Sequence, residues 1–204
     1  MKSEIKNKVS DYYSKKIVEY GAISEGVDWN GIDSHFLRFE QLCKVILSKK
    51  FSLLDYGCGF GSLLQYLNEN NIKCDYLGYD ISEEMVKKAK AISPSDKFVS
   101  SIGTNMYDYT IANGIFNVKL DLSNLQWKEH VFNTIENINT ISKKGFSFNV
   151  LTSYSDKDLM KDYLYYADPI EMFDFCKVNC SKNVALLHDY KLYEFTIIVR
   201  KNYE

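Results

Sequence analysis

One stretch narrows the folds open to this chain more than any other: Leu53-Leu54-Asp55-Tyr56-Gly57-Cys58-Gly59-Phe60-Gly61-Ser62. An apolar run enters a turn with glycine at every second position, and Leu63, Leu64 and Leu67 then follow between polar residues, as on a helix. Glycine reaches backbone conformations closed to other residues and lets a ligand come close to the main chain. Strand, glycine turn and helix in that order belong at the carboxyl end of a parallel sheet, where nucleotides bind. Nineteen residues beyond Gly61, Asp80 ends a second apolar run, Tyr76–Tyr79. A carboxylate so placed can accept hydrogen bonds from both hydroxyls of a ribose.

The rest of the chain keeps the same rhythm. Phe51–Asp55 reads as a buried first strand and Tyr76–Tyr79 as the second, and Ser82 caps a helix with two acids in its first turn. Lys97–Ser100 and Tyr109–Ala112 read as strands three and four. Leu125–Ile141 reads as a long amphipathic helix with Leu125, Val131, Ile135, Ile138 and Ile141 on its apolar face, and Gly145–Leu151 as the next strand. A polar, tyrosine-rich stretch, Thr152–Asp168, leads to a helix beginning near Pro169. The last two runs, Val184–Leu187 and Phe195–Val199, are too close for a crossover helix and should form an antiparallel hairpin. Alternating strands and helices predict the α/β class.

At 204 residues the chain has room for one α/β domain, and 46 % hydrophobic residues suffice for a sizeable core. No apolar run is long enough to span a membrane. Met1–Tyr20 carries Lys and Glu throughout and lacks a signal peptide's apolar centre, which predicts a cytoplasmic protein. Five scattered cysteines suit reduced thiols. Cys176 and Cys180 are one helical turn apart, but no second Cys or His pair completes a metal site. A net charge of −2 gives no sign of a DNA partner.

A dinucleotide fingerprint, G-x-G-x-x-G/A, fits neither register: its third position falls on Ser62 or on Leu64. Tyr12 and Lys16 satisfy the Tyr-x-x-x-Lys pair of short-chain reductases, but they precede the glycine turn, whereas in those enzymes the pair lies far downstream. The spacing present is G-x-G-x-G, preceded by Asp55. From Phe51 to its C-terminus the sequence resembles the class I S-adenosylmethionine-dependent methyltransferases. The resemblance implies a Rossmann-like, seven-stranded sheet, mostly parallel with an antiparallel C-terminal hairpin strand, and helices on both faces. It implies a catalytic domain over residues 51–204, with residues 1–50 as a helical arm or cap of the same domain.

It also implies S-adenosylmethionine as cofactor and S-adenosylhomocysteine as product. Gly57, Cys58, Gly59 and Gly61 would cradle the methionine part, with Asp55 near its ammonium. Asp80 would hold the ribose, Ile81 would pack on the adenine, and Ser101 and Ile102 would lie at the adenine edge. Many relatives carry Asp at the position of Ser101. Asp108–Asn117 looks like the family's fourth motif, which puts Asn113 where the methyl group meets its acceptor. It is not an Asn-Pro-Pro-Tyr or Asp-Pro-Pro-Tyr motif, which argues against amino methylation of adenine or glutamine. The absence of a Pro-Cys pair argues against cytosine C5 chemistry.

Methyl transfer from a sulfonium needs an aligned nucleophile and little else, so no catalytic residue need stand out. Tyr13 and His35 in the arm and His188, beside Asp189 in the hairpin, are the catalytic candidates, each with a structural or solvated reading beside it. Arg38 either pairs with the cofactor's methionine carboxylate or sits on the surface of an amphipathic helix. The arm, from Tyr12-Tyr13 through Trp29, and the 152–168 segment would close over a small-molecule acceptor; alternatively, the tyrosines plug into the core. A protein or RNA acceptor, or a cofactor-binding subunit without activity, is the other reading. Monomer and homodimer both remain open.

Overall fold

Short apolar runs and the amphipathic stretches between them become strands joined by crossover helices. The computed structural model describes residues 2–21, 32–94 and 97–201. Two helices come first, α1 (Lys2–Tyr20) and α2 (Ile32–Cys43), then β1 (Ser52–Tyr56), α3 (Ser62–Glu69), β2 (Asp75–Tyr79), α4 (Glu83–Ile92) and β3 (Phe98–Val99). β4 (Tyr107–Ala112), α5 (Asn124–Ile141), β5 (Ser142–Leu151), α6 (Pro169–Asn179), β6 (Asn183–Leu187) and β7 (Glu194–Arg200) complete the order. The seven strands form one sheet in the order β3-β2-β1-β4-β5-β7-β6. β3, β2, β1, β4 and β5 pair in parallel, and β7 lies antiparallel between β5 and β6. This is the α/β, Rossmann-like sheet with a terminal hairpin that the motif spacing and the family resemblance imply.

Strand alternation feeds a core on each face of the sheet. Phe146, Phe148 and Val150 of β5 and Phe195, Ile197 and Val199 of β7 face α5 and α6. Ile198, between two of these, turns the other way and joins Leu53, Tyr109 and Ile111 beneath α2, α3 and α4. Helix α1 belongs to neither layer alone. Its Ile5 packs into the α5–α6 core, while further along Ser10 Oγ donates to Ile81 O at 3.3 Å and Ser14 Oγ meets Ser82 Oγ at 2.7 Å. The helix thus crosses over the carboxyl ends of the parallel strands.

Several boundaries differ from the sequence reading for physical reasons. β3 shrinks to Phe98–Val99 because this edge strand pairs only with Gly78 and Tyr79. β4 starts at Tyr107 and β5 at Ser142, since α5 runs into β5 without a loop, and Ser142 Oγ bonds Ile138 O at 2.6 Å and Thr110 Oγ1 at 2.8 Å. Leu125 is 73 % exposed, not on the apolar face. Trp127, 1 % exposed, anchors the first turn of α5, and its Nε1 donates to Phe116 O at 2.8 Å.

The 152–168 segment is tied to its neighbours by backbone hydrogen bonds. Lys119 N and Leu120 N donate to Tyr163 O, Tyr165 N donates to Asn117 O, and Tyr165 is buried in the α5–α6 core. These bonds tie the segment to the loop after β4 and turn one ring inward, so the core-plugging alternative describes Tyr165.

Phe148 is fully buried and its ring meets Phe116 edge-on at 5.4 Å. Phe148→Ala should lower stability by about 3–5 kcal/mol, read as a fall in the urea midpoint at unchanged slope.

Candidate active site

The parallel strand order reverses between β1 and β4, and a crevice opens at that switch point beyond the strand ends. The turn after β1 shapes its floor. Gly57, Gly59 and Gly61 have φ of 83°, 54° and 92°, a region that side chains disfavour. A Cβ on Gly57 would stand 2.3 Å from Ile115 Cγ2, so glycine is required for space as well as for conformation. The N–H groups of Gly57 and Cys58 both donate to Tyr79 O, at 2.7 and 2.9 Å, which fastens the turn to the end of β2. Gly61 caps α3 rather than lining the crevice. The Cys58 thiol is buried, its sulfur 3.0 Å from where a Cβ of Gly78 would be.

Asp80 stands at the mouth of this turn. Its Oδ2 accepts from Gly59 N and its Oδ1 from Ser82 N, both at 2.8 Å. A carboxylate can accept about four hydrogen bonds, so two positions remain for a ligand. Burial raises its pKa to about 6, against the pull of those two N–H groups. Asp55, deeper on β1, accepts a 2.7 Å hydrogen bond from Tyr76 OH. Burial raises it to about 7; the Tyr76 bond opposes the shift and the charge of Asp80 adds to it. Among the described residues neither acid has an ion-pair partner.

Around these acids a cleft encloses about 1070 Å³ of space, part of it open to solvent. Tyr79, Asp80, Ile81 and Met85 form one end, and Asn113–Phe116 with His130 and Thr134 of α5 the other. His35 and Phe39 come from α2. Lys6, Val9 and Tyr13 come from α1, spaced so that they share one helical face. His35 stacks on Phe39 at 4.8 Å. Burial, and then the Arg38 charge, lower its pKa to about 4, so its imidazole is neutral at physiological pH.

Most of the residues singled out in the sequence converge here: Asp55, Gly57, Cys58, Gly59, Asp80, Ile81, Asn113, His35 and Tyr13 all line the cleft. Four do not. Arg38 is buried and engaged elsewhere, its Nε donating to Glu194 Oε1 at 2.5 Å and its NH1 to Ser34 Oγ at 3.0 Å. Ser101 is exposed and Ile102 half-buried, both beyond the short β3, and Met85 lines the cleft beside Ile81. His188 is exposed beyond the end of β6, its ring 6.0 Å from those of Tyr154 and Phe195 and away from the cleft. Trp29 lies outside the described residues. Lys6, Tyr56, Phe116, His130 and Thr134 were not apparent from sequence. His130 and Thr134, at i and i+4 on α5, share a helical face, but the apolar periodicity of that helix masks them in the sequence.

Residues 47–163 match the family described as "Methyltransferase domain". "Putative methyltransferase Rv1506c" of Mycobacterium tuberculosis (strain ATCC 25618 / H37Rv) is 50 % identical over 155 residues, 74 % of this chain and 93 % of that one. Among solved structures, the magnesium protoporphyrin IX methyltransferase of Synechocystis PCC 6803 with bound SAH superposes with a TM-score of 0.66 at 15 % identity, covering 96 % of this chain and 99 % of that one. The CcbJ methyltransferase of Streptomyces caelestis gives 0.61 at 13 % identity, covering 93 % and 97 %. At such identities these two structures speak for the fold.

The raised acids have a consequence for stability. Asp80 and Asp55 hold protons in the folded chain that the unfolded chain has already released above its ordinary carboxylate pKa. Stability of the ligand-free protein should therefore be highest near pH 4 as far as these groups decide it, and fall as pH rises through about 6 and about 7. Urea midpoints across that range, compared with those of Asp80→Asn, check the sign; a midpoint difference independent of pH would contradict it.

Proposed function

The chain belongs to the class I S-adenosylmethionine-dependent methyltransferases, and we propose that it methylates an oxygen or nitrogen of a small-molecule acceptor enclosed beneath α1. The observation that carries this reading is the position of α1. The helix crosses the strand ends and turns Lys6, Val9 and Tyr13 into the same cleft that holds Asp55 and Asp80. A site roofed by its own chain suits a compact acceptor better than a polymer.

S-adenosylmethionine supplies a methyl group on a cationic sulfonium, whose departure as a neutral thioether needs no acid. The protein's part is to bind, align and exclude water. In this reading Asp80 accepts the two ribose hydroxyls with its remaining lone pairs, and Ile81 and Met85 bracket the base. The Gly57–Gly59 turn lets the methionine part rest on the backbone, with Asp55 giving its ammonium a counter-charge. Tyr13, Tyr56 and Phe116 offer aromatic surface to a cation, which favours the sulfonium over neutral competitors. The neutral imidazole of His35, a weak base at that pKa, can accept a hydrogen bond and orient a nucleophile without competing with the cofactor for the acids.

Calorimetric titration should show binding of S-adenosylmethionine and S-adenosylhomocysteine and none of NAD or NADP; heat with the dinucleotides alone would end the proposal. Incubation with labelled cofactor and a metabolite extract, beside protein and RNA fractions, should place the label in the small-molecule fraction.

Asp80→Ala removes an acceptor of two ribose hydrogen bonds. Bonds to a charged group contribute about 1.5–3 kcal/mol each, so the Kd for S-adenosylhomocysteine should rise at least about tenfold in a variant that melts cooperatively. An unchanged Kd would remove Asp80 from the ribose site.

A further inference from the structure

A buried polar chain runs behind the acceptor end of the cleft. Glu194 is 1 % exposed at the start of β7 and pairs with the Arg38 guanidinium of α2. Its other oxygen, Oε2, faces Asn149 Nδ2 of β5 at 2.5 Å. Asn149, fully buried, also donates through Nδ2 to Asn113 Oδ1 at 3.0 Å and accepts from Gly114 N at 2.7 Å through Oδ1.

This chain has a direction. A carboxylate paired with a guanidinium can only accept, so the end of the Asn149 amide facing Glu194 must be its N–H₂. The Gly114 N–H can only donate, so the opposite end must be the carbonyl. Both Asn149 protons are then committed, one to Glu194 and one to Asn113 Oδ1. Asn113 lines the cleft, and with its Oδ1 held from behind, the end left to the cleft is its Nδ2, a donor.

We propose that Glu194 is a positioning residue which, through Asn149, sets the Asn113 amide as a hydrogen-bond donor toward the acceptor, and that the acceptor presents an anionic oxygen there, a carboxylate first. The inference rests on the reading of this cleft as a methyltransferase site. An amine nucleophile needs an acceptor to orient its N–H, which this end of Asn113 does not give. A carboxylate offers lone pairs to Asn113, and Lys6, a cationic residue, lines the same cleft. It also removes the need for a base. One oxygen lone pair forms the new O–CH₃ bond while the S–CH₃ pair stays on sulfur, and no proton has to leave.

The test uses ¹⁵N-labelled full-length protein saturated with S-adenosylhomocysteine and reads side-chain amide signals by NMR, with Asn113→Ser and Asn149→Ser for assignment. In the wild type both Asn149 protons should exchange at least about tenfold more slowly than those of Asn113. Acetate should shift the Asn113 N–H₂ signal and methylammonium should not. Slow Asn113 protons beside fast Asn149 protons, or a response to methylammonium or to neither probe, would overturn the proposal. Glu194→Gln, which can donate as well as accept, should speed Asn149 exchange and weaken the acetate response at Asn113 at least about tenfold. A change confined to melting temperature would make Glu194 merely structural. If Glu194→Gln does not fold, the wild-type exchange pattern still decides the amide direction. Failure of S-adenosylhomocysteine to bind at the outset would instead strike the methyltransferase reading itself.

Discussion

Two carboxylates, Asp55 and Asp80, are held out of water at the ends of neighbouring strands, and the turn between them is built around that constraint. Asp55 and Asp80 are each nearly inaccessible, and the described residues bring no cation into contact with either. Burying a charge without a partner is costly, and the raised proton affinity of both groups records that cost. A cationic ligand relieves it. The glycine turn makes the arrangement possible: with φ positive at Gly57, Gly59 and Gly61, the backbone bends sharply enough for Gly59 N to reach the Asp80 carboxylate and for Tyr79 O to take two N–H groups. Any side chain at Gly57 would meet Ile115, so turn, acid and far wall are one geometric problem solved together.

The other buried charge is handled in the opposite way. Arg38 and Glu194 lie 156 residues apart in sequence, yet they form a paired and hydrogen-bonded unit with Ser34 and Asn149. A buried ion pair of this kind contributes little net stability relative to apolar packing, whereas removing one partner is strongly destabilising. Its contribution here is geometric. It links α2, which brings His35 to the cleft, with β7, β5 and the loop that brings Asn113, and so fixes two walls of the site relative to each other.

Much of this was legible because it is local. The alternation of apolar runs and the G-x-G-x-G turn depend on neighbours within a few residues, and Asp80 marks itself by ending a strand at the expected distance. The short gap between Val184–Leu187 and Phe195–Val199 likewise excluded a crossover helix. What stayed hidden depends on distant partners. Nothing near Glu194 reveals that it faces Arg38, and nothing near Arg38 reveals that its charge is already engaged, so the guanidinium was free to be read as a cofactor ligand. The tyrosines of 152–168 resemble a lid by composition. Only the backbone bonds from Lys119, Leu120 and Tyr165 show the segment pinned beside the loop after β4. Trp127 outranks Leu125 because its indole N–H has a carbonyl to meet, a contact that hydrophobic periodicity does not encode.

The roof differs in kind from the rest of the structure. The sheet and its flanking helices are bound by continuous apolar cores; the contacts of α1 include Ile5 in the α5–α6 core with Val9 against it, Ile17 buried further along, the hydroxyls of Ser10 and Ser14, and the exposed pair of Lys8 with Asp121. An exposed ion pair adds little, and single hydrogen bonds add about 1 kcal/mol each. The acids, the glycine turn and the Asn113 loop are fixed by the sheet, and α1 adds Lys6, Val9 and Tyr13 to the cleft above them.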